Sequence, residues 1–374
     1  MRLLLVGLAL VSVSALGQGT DLTWIAPPDP RLEVNGLPWY GENGGELFRL
    51  PLRLKDSLPK EVWSLGQSPS GGRIRFRTDA SRLTIRLEYG SPPNMANMHA
   101  FGQTGVDLYV DGIYRSTATA GKDAKVGAPS EFTYFDVQGG PRVEREITLY
   151  LPLYKPVKVL AIGVEKDARL SRARPFSIAK PVVFYGTSIT QGGCASRPGM
   201  SYQAILGRML NLDFVNLGFS GNGKGEPEVA RMTAGIDASC FVLDFAQNNK
   251  TVESLREVYE PFLKTLREKH PETPILAITP ISSSSERLGA VGERLEAMRE
   301  HIRKVVAQRI ADGDRRLQLI EGTDLLGPDR LDGLVDGSHP NDLGFQWMAE
   351  GLAARLGKVL GLKSARPPAS FSSR

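Results

Sequence analysis

The hydrophobic rhythm of this chain changes once, near Pro181, and no other feature constrains the fold as much. After Pro181, short apolar runs alternate with amphipathic stretches. Val182 to Tyr185 reads as a continuous apolar strand. Ser201 to Asn211 follows as a helix, with Tyr202, Ile205, Leu206, Met209 and Leu210 on one face. Further strands are expected at Phe214 to Leu217, Phe241 to Phe245 (with Cys240 at its start), Ile275 to Thr279 and Leu317 to Ile320. Between and after them, helices are expected near Glu226 to Ala234, Val252 to Lys269, Glu286 to Ala311 and Leu343 to Leu360. Strands without polar alternation are buried on both faces, so this pattern predicts a parallel sheet between two helical layers. In such three-layer α/β sheets, sites form beyond the carboxyl ends of the strands.

Before Pro181 the rhythm is different. Short β-branched and aromatic runs recur at Arg73 to Arg77, Leu83 to Leu87, Asp107 to Val110, Ile147 to Leu151 and Val157 to Ile162. Turn signals such as Ser70-Gly71-Gly72 and Asp111-Gly112 separate them, and helical periodicity is nearly absent. Many short strands at fairly regular spacing predict an all-β sandwich or jelly roll. The chain length of 374 residues suits two domains. We place them at 21–170 and 178–362, with 166–180 as linker and 363–374 as a disordered tail.

Residues 1–17 read as a secretory signal: Arg2, then an apolar run from Leu3 to Val13, then small residues at Ala15-Leu16-Gly17. That run is too short to span a bilayer. A soluble, exported protein, secreted or periplasmic, is therefore expected. The formal charge is +5, with Lys and Arg scattered rather than clustered, so neither nucleic acid nor membrane is expected as a partner. Cys194 and Cys240 fall at opposite edges of the expected sheet. A strand spans about 20 Å, whereas a disulfide needs Cα atoms within about 7 Å, so two unpaired thiols are expected. The four histidines are too dispersed for a ligand set, and phosphate-loop and dinucleotide fingerprints are missing, so no metal or cofactor is implied.

Four stations fall in the second half. The first is Gly186-Thr187-Ser188, where a glycine-bearing turn after a buried strand can expose a hydroxyl; a helix N-cap serine is the alternative. The second is Asn216-Leu217-Gly218-Phe219-Ser220-Gly221-Asn222-Gly223, where a glycine can offer a bare N–H to a developing oxyanion, or form only a flexible loop. The third is Asp244-Phe245-Ala246-Gln247-Asn248-Asn249, whose asparagine amide can be a further donor or a turn residue. The fourth is Asp336-Gly337-Ser338-His339-Pro340-Asn341. Its acid can accept from the imidazole Nδ1 and leave Nε2 facing Ser188, or the loop is merely capped with a surface histidine. His99, His270 and His301 lack a comparable acid partner, which makes His339 the preferred base.

The order Ser188, Gly221, Asn248, Asp336-x-x-His339 resembles the SGNH (GDSL-type) hydrolases over roughly 180–360. The resemblance implies a flavodoxin-like sheet with the four blocks at the ends of successive strands. It also implies that Ser188 is nucleophile and first oxyanion donor, that Gly221 and Asn248 complete the oxyanion hole, and that Asp336 orients the base His339. Two blocks depart from the family pattern: Thr187 replaces the usual acid before the serine, and the third block lacks its glycine and acid. Asn249 and Gly218 are the rivals of Asn248 and Gly221. Gly105-Val106-Asp107-Leu108-Tyr109 resembles the Gly-x-Asp-Leu-Tyr signature of a β-rich domain that precedes one SGNH subgroup, and Cys194 to Met200 fits that subgroup. The implied activity is serine ester hydrolysis of small O-acyl groups, chiefly acetyl, on a carbohydrate such as an acetylated polysaccharide. An exported lipase or thioesterase of the same fold, and a non-catalytic glycan-binding module, are the alternatives.

Overall fold

The computed structural model describes residues 22–119, 125–137, 142–287 and 289–362. The expected signal (1–17) and tail (363–374) lie outside the described residues. The first half builds two antiparallel sheets. One places β1 (Leu22–Ile25), β9 (Val157–Glu165), β4 (Arg82–Tyr89) and β7 (Pro129–Asp136) side by side in that order. The other runs β10 (Leu170–Ser171), β3 (Arg73–Thr78), β8 (Arg145–Tyr150), β5 (Val106–Val110) and β6 (Ile113–Ala118), with β2 (Glu33–Asn35) also paired to β3.

Alternation explains the packing. In β4, Leu83, Ile85 and Leu87 point into a core shared with Ile74, Phe76, Ile147 and Leu149 of the other sheet. Arg86 on the opposite face meets Glu131 across the pair with β7. This is the expected sandwich. Two short helices interrupt it, α1 (Lys60–Gly66) and α2 (Ala100–Thr104). The segment expected as linker contains β10, which hydrogen-bonds to β3.

The second half forms one parallel sheet of five strands: β11 (Val182–Gly186), β12 (Phe214–Gly218), β13 (Cys240–Asp244), β14 (Ile275–Ile278) and β15 (Leu317–Ile320). Their spatial order is β12-β11-β13-β14-β15, the flavodoxin-like doubly wound order. Every residue of β11, β12 and β13 is buried, which is why these strands read as unbroken apolar runs. One sheet face packs against α4 (Tyr202–Leu210) and α9 (Asp342–Val359). The other packs against α5 (Pro227–Ala234), α6 (Val252–Lys269) and α7 (Ala290–Ala311). The helix expected from Glu286 begins instead at Ala290. The Glu286 carboxylate is taken by Ser283 N–H and by Arg299, which holds 283–286 as a turn. Two further short helices are α3 (Ser188–Gln191) and α8 (Gly322–Leu325). Cys194 and Cys240 are both buried and free.

The two halves are tied by buried arginines. Arg49 donates to Leu65 O, Ser68 O, Asn216 O and Gly218 O, and so grips the carboxyl end of β12. Burial pulls its guanidinium down to about 9, so it stays cationic at neutral pH. At the amino end of β12, Arg73 pairs with Asp213 and lies 3.9 Å over the Phe214 ring.

Gly186, Gly218 and Asp244 occupy one row across the sheet, at its carboxyl edge. Burial raises the Asp244 carboxyl to about 6, only partly opposed by the Gln247 amide and the Thr190 hydroxyl. A carboxyl whose pKa is higher folded than unfolded binds its proton more tightly in the native state. Its contribution to stability is therefore complete below about 3.8 and is lost as pH rises to about 6. Asp244→Asn should remove that loss, which amounts to about 3 kcal/mol at most. Denaturant unfolding of both proteins between pH 4 and 8 tests this. The variant should gain on the native chain as pH rises, and a pH-independent difference would count against the assignment.

Candidate active site

The site grows from the ends of β11, β12 and β13. Glycine is required at two positions in that edge. A Cβ on Gly218 would lie 2.0 Å from Gln191 N, and one on Gly186 would lie 2.4 Å from Asp244 O. Without those side chains, α3 settles directly onto the strand ends. Thr187 takes the N-cap position, accepting from Ile189 N–H at 3.2 Å. Ser188 is thus the first helical residue and not the cap, which settles the alternative raised by its sequence. Its hydroxyl is free of capping duty, and as the first helical residue it has no intrahelical acceptor for its own N–H.

The Ser188 hydroxyl is 2.9 Å from His339 Nε2. On the other side of the ring, His339 Nδ1 is 2.8 Å from Asp336 Oδ2 and 3.1 Å from Oδ1. The fold thereby joins residues 151 positions apart into one hydrogen-bonded chain. The loop carrying the acid and imidazole is closed by Val335 N–H donating to His339 O and by a bridge between Leu334 and Pro340. Asn341 then caps α9 through Leu343 N–H and Gly344 N–H and donates to Asp332 O, so the loop and the helix are fixed together. Asp336 Oδ1 also accepts from the N–H groups of Ser338 and His339. Partial burial works to raise the Asp336 carboxyl, but the Asn97 amide, the His339 N–H and the His339 ring overcome it and hold it well below the usual carboxylate range. It is a fixed negative charge throughout the neutral range.

Gly221 lies in an exposed turn closed by Asn222 N–H and Gly223 N–H on Phe219 O. Its φ of +69° explains the glycine, since a Cβ there would meet nothing within 4 Å. No partner for its N–H occurs among the described residues. Gly218, the rival, spends its N–H on Asn216 Oδ1 at 2.9 Å. Asn248 directs its amide to Phe219 O at 3.0 Å, which ties the third loop to the second and leaves its other N–H available. Asn249 is buried with its amide toward Phe245 O. The geometry thus favours Gly221 and Asn248 over their rivals as open donors.

Residues 179–356 match the family model of GDSL-like lipase/acylhydrolases, and 22–170 match the GxDLY model, the N-terminus of Esterase_SGNH_hydro-type. A solved GDSL-like lipase from Bacteroides ovatus ATCC 8483 is 33% identical, with a TM-score of 0.82 over 92% of this chain and 100% of that one. The chain belongs to the GDSL-like (SGNH) hydrolase family. Salicylyl-acyltransferase SsfX3 from a tetracycline biosynthetic pathway shares the fold at 23% identity and a TM-score of 0.75, covering 92% of this chain and 99% of that one. A family two carbohydrate esterase from Clostridium thermocellum, solved with cellohexaose, shares it at 18% identity and a TM-score of 0.59, covering 78% and 93%. No curated protein matches the sequence.

In this SGNH hydrolase the GxDLY signature is a latch between the halves. Asp107 is fully buried and accepts from Thr117 Oγ1, Arg197 Nη1 and Gly199 N–H. Tyr109 receives a second bond from Arg197 at 2.6 Å. A Cβ on Gly199 would meet the Tyr109 hydroxyl at 2.4 Å, so only glycine permits this approach. The latched loop then hands on to the acid–base side, because Ser196 donates through both N–H and hydroxyl to Asp342 of α9.

Three supporting residues gave no signal in the sequence. Gln191 accepts from Ser220 N–H and donates to Leu153 O, pinning the turn that carries Gly221. Arg49 grips the strand before that turn. Asn97, from the first half, donates to Asp336 Oδ2 at 2.9 Å across 239 positions. Asn97→Ala should lower kcat/KM for a p-nitrophenyl ester about tenfold, a loss of about 1.4 kcal/mol, with the fold intact by circular dichroism. Asn97→Asp should cost more, since it sets a second negative charge against Asp336. Equal activity in all three proteins would remove Asn97 from the site.

Proposed function

We propose that the protein is an exported serine esterase that removes small O-acyl groups, chiefly acetyl, from a carbohydrate. The observation that carries the catalytic part is the Ser188–His339–Asp336 chain at the carboxyl edge of β11. In this reading the Ser188 oxygen attacks the acyl carbonyl while His339 Nε2 takes the hydroxyl proton. Asp336 keeps the Nδ1 proton on its own side of the ring and stabilises the imidazolium that forms. The tetrahedral oxyanion receives the N–H of Ser188, the N–H of Gly221 and the amide of Asn248. Such donors are worth about a hundred- to a thousandfold each when preorganised. The imidazolium returns its proton to the leaving alcohol. Water then attacks the acyl-serine, with His339 again as base, and releases the carboxylic acid.

The substrate reading is supported by the carbohydrate esterases among the structural relatives and by the β-sandwich partner domain. Among the described residues no helix is long and apolar enough to cross a membrane. Export rests on the sequence of residues 1–17, and the domain limits 21–170 and 178–362 remain part of the same proposal.

Ser188→Ala should lower hydrolysis of p-nitrophenyl acetate by about a thousandfold or more, and Asp336→Asn by a hundredfold or more. Ser188→Ala protein as active as the native chain would sink the mechanism. Acetate release from a panel of acetylated polysaccharides tests the substrate. In a chain-length series, activity should fall from acetyl upward; a rise beyond about eight carbons would select a lipase.

A further inference from the structure

The Ser–His–Asp chain has a fourth neighbour that the reaction does not use. Cys194 Sγ, one Asp336 carboxylate oxygen and one His339 ring nitrogen lie within 4.8 Å of one another. Cys194 is only 6% exposed, and among the described residues its thiol has no hydrogen-bond partner. It is held in place by local backbone. Gly193 N–H donates to Ser188 O, Ala195 N–H donates to Gly192 O, and Cys194 itself has φ +72°. That region favours glycine, yet a side chain is kept here and turned toward the acid and the imidazole. The other two groups open to solvent, with His339 28% and Asp336 31% exposed, so an ion has a way in.

We propose that Cys194, Asp336 and His339 form an inhibitory site for a divalent cation of the zinc class. Thiolate, imidazole and carboxylate together are a borderline-to-soft donor set that suits Zn²⁺, Cd²⁺ or Co²⁺ and not Mg²⁺ or Ca²⁺. Metal–ligand bonds of about 2.0–2.3 Å put tetrahedral ligand atoms about 3.5 Å apart. The three side chains therefore need only small rotations, and water completes the fourth position. Binding forms the metal–sulfur bond and releases the thiol proton to solvent. Either choice of imidazole nitrogen stops the base. Coordination through Nε2 takes the lone pair that faces Ser188. Coordination through Nδ1 replaces its contact with Asp336 and leaves the neutral ring's proton on Nε2.

The inhibition rests on the esterase reading; the binding does not, and the experiment separates them. Untagged, chelator-treated protein is titrated with Zn²⁺ in a calorimeter and with Co²⁺ in a spectrophotometer. The native chain should bind one ion and show a near-ultraviolet thiolate-to-cobalt charge-transfer band. Cys194→Ser and Cys194→Ala should lose the band and bind Zn²⁺ about tenfold or more weakly, a difference of about 1.4 kcal/mol. Both should keep metal-free hydrolysis of p-nitrophenyl acetate and need correspondingly more Zn²⁺ to lose it, while Mg²⁺ changes nothing. A native chain without the charge-transfer band overturns the proposal. So does Zn²⁺ affinity unchanged in both variants, which would assign the ion elsewhere. If the native chain hydrolyses no ester, the calorimetric and spectral arms still decide the site.

Discussion

The site depends on how closely α3 approaches the ends of β11 and β12. At Gly218 there is no room for even one methyl group against Gln191 N, and at Gly186 none against Thr190 and Asp244. Asn216 secures the same junction, donating to Thr190 O and accepting from Gly218 N–H. With α3 seated there, Thr187 can cap and Ser188 can turn its hydroxyl outward. The second loop follows from the same contact, because Phe219 N–H donates to Gly186 O and Ser220 N–H donates to Gln191. Backbone packing at one sheet edge thus fixes both the hydroxyl and the turn that carries Gly221.

The first half is a structural part of this edge. Ser70 donates to Gln191 O, Leu153 O accepts from Gln191, and Arg49 holds the β12 carbonyls. On the far side of the site, the Asp107–Arg197–Gly199 latch and the Ser196–Asp342 bonds reach α9, which begins beside the His339 loop. A buried carboxylate with three donors and a guanidinium over the Tyr114 ring at 3.7 Å make that latch specific in geometry. Removing one partner would leave a buried charge unpaired, the situation that costs most in such pairs.

Much of this was legible in the sequence. Four of the parallel strands, β11 to β14, stood out because both their faces are buried, and the sandwich strands because they are short β-branched and aromatic runs set off by turn residues. The pairing of Ser188 with Asp336 and His339 followed from where the strand ends fall. Other features were not legible, for physical reasons. α3 has four residues, too few for a periodicity. The late start of α7 depends on Glu286 being claimed by Arg299, thirteen positions away. Asn97 and Arg49 act through contacts 239 and 169 positions apart, and neither stands in a run that marks it. Asp107-Leu108-Tyr109 was legible as strand sequence and as a family signature, but its latching contacts were not, because Arg197 and Gly199 lie about ninety positions away in the other half.

The reach of Asn97 changes what the acid of the site is. Asp336 shares a loop with His339, and that short loop alone would satisfy its Oδ1 with two backbone N–H groups. Its Oδ2, the oxygen nearer Nδ1, also takes the Asn97 amide from the sandwich half. A carboxylate held from both sides stays ionised and keeps one orientation toward the ring, and a ring held so presents Nε2 to Ser188. The orientation of the His339 ring is therefore set partly by the sandwich half, which supplies neither that ring nor the Ser188 hydroxyl. That makes the sandwich an integral wall of the site, in contact with the Asp336 carboxylate through Asn97 and with the backbone of α3 through Ser70 and Tyr154.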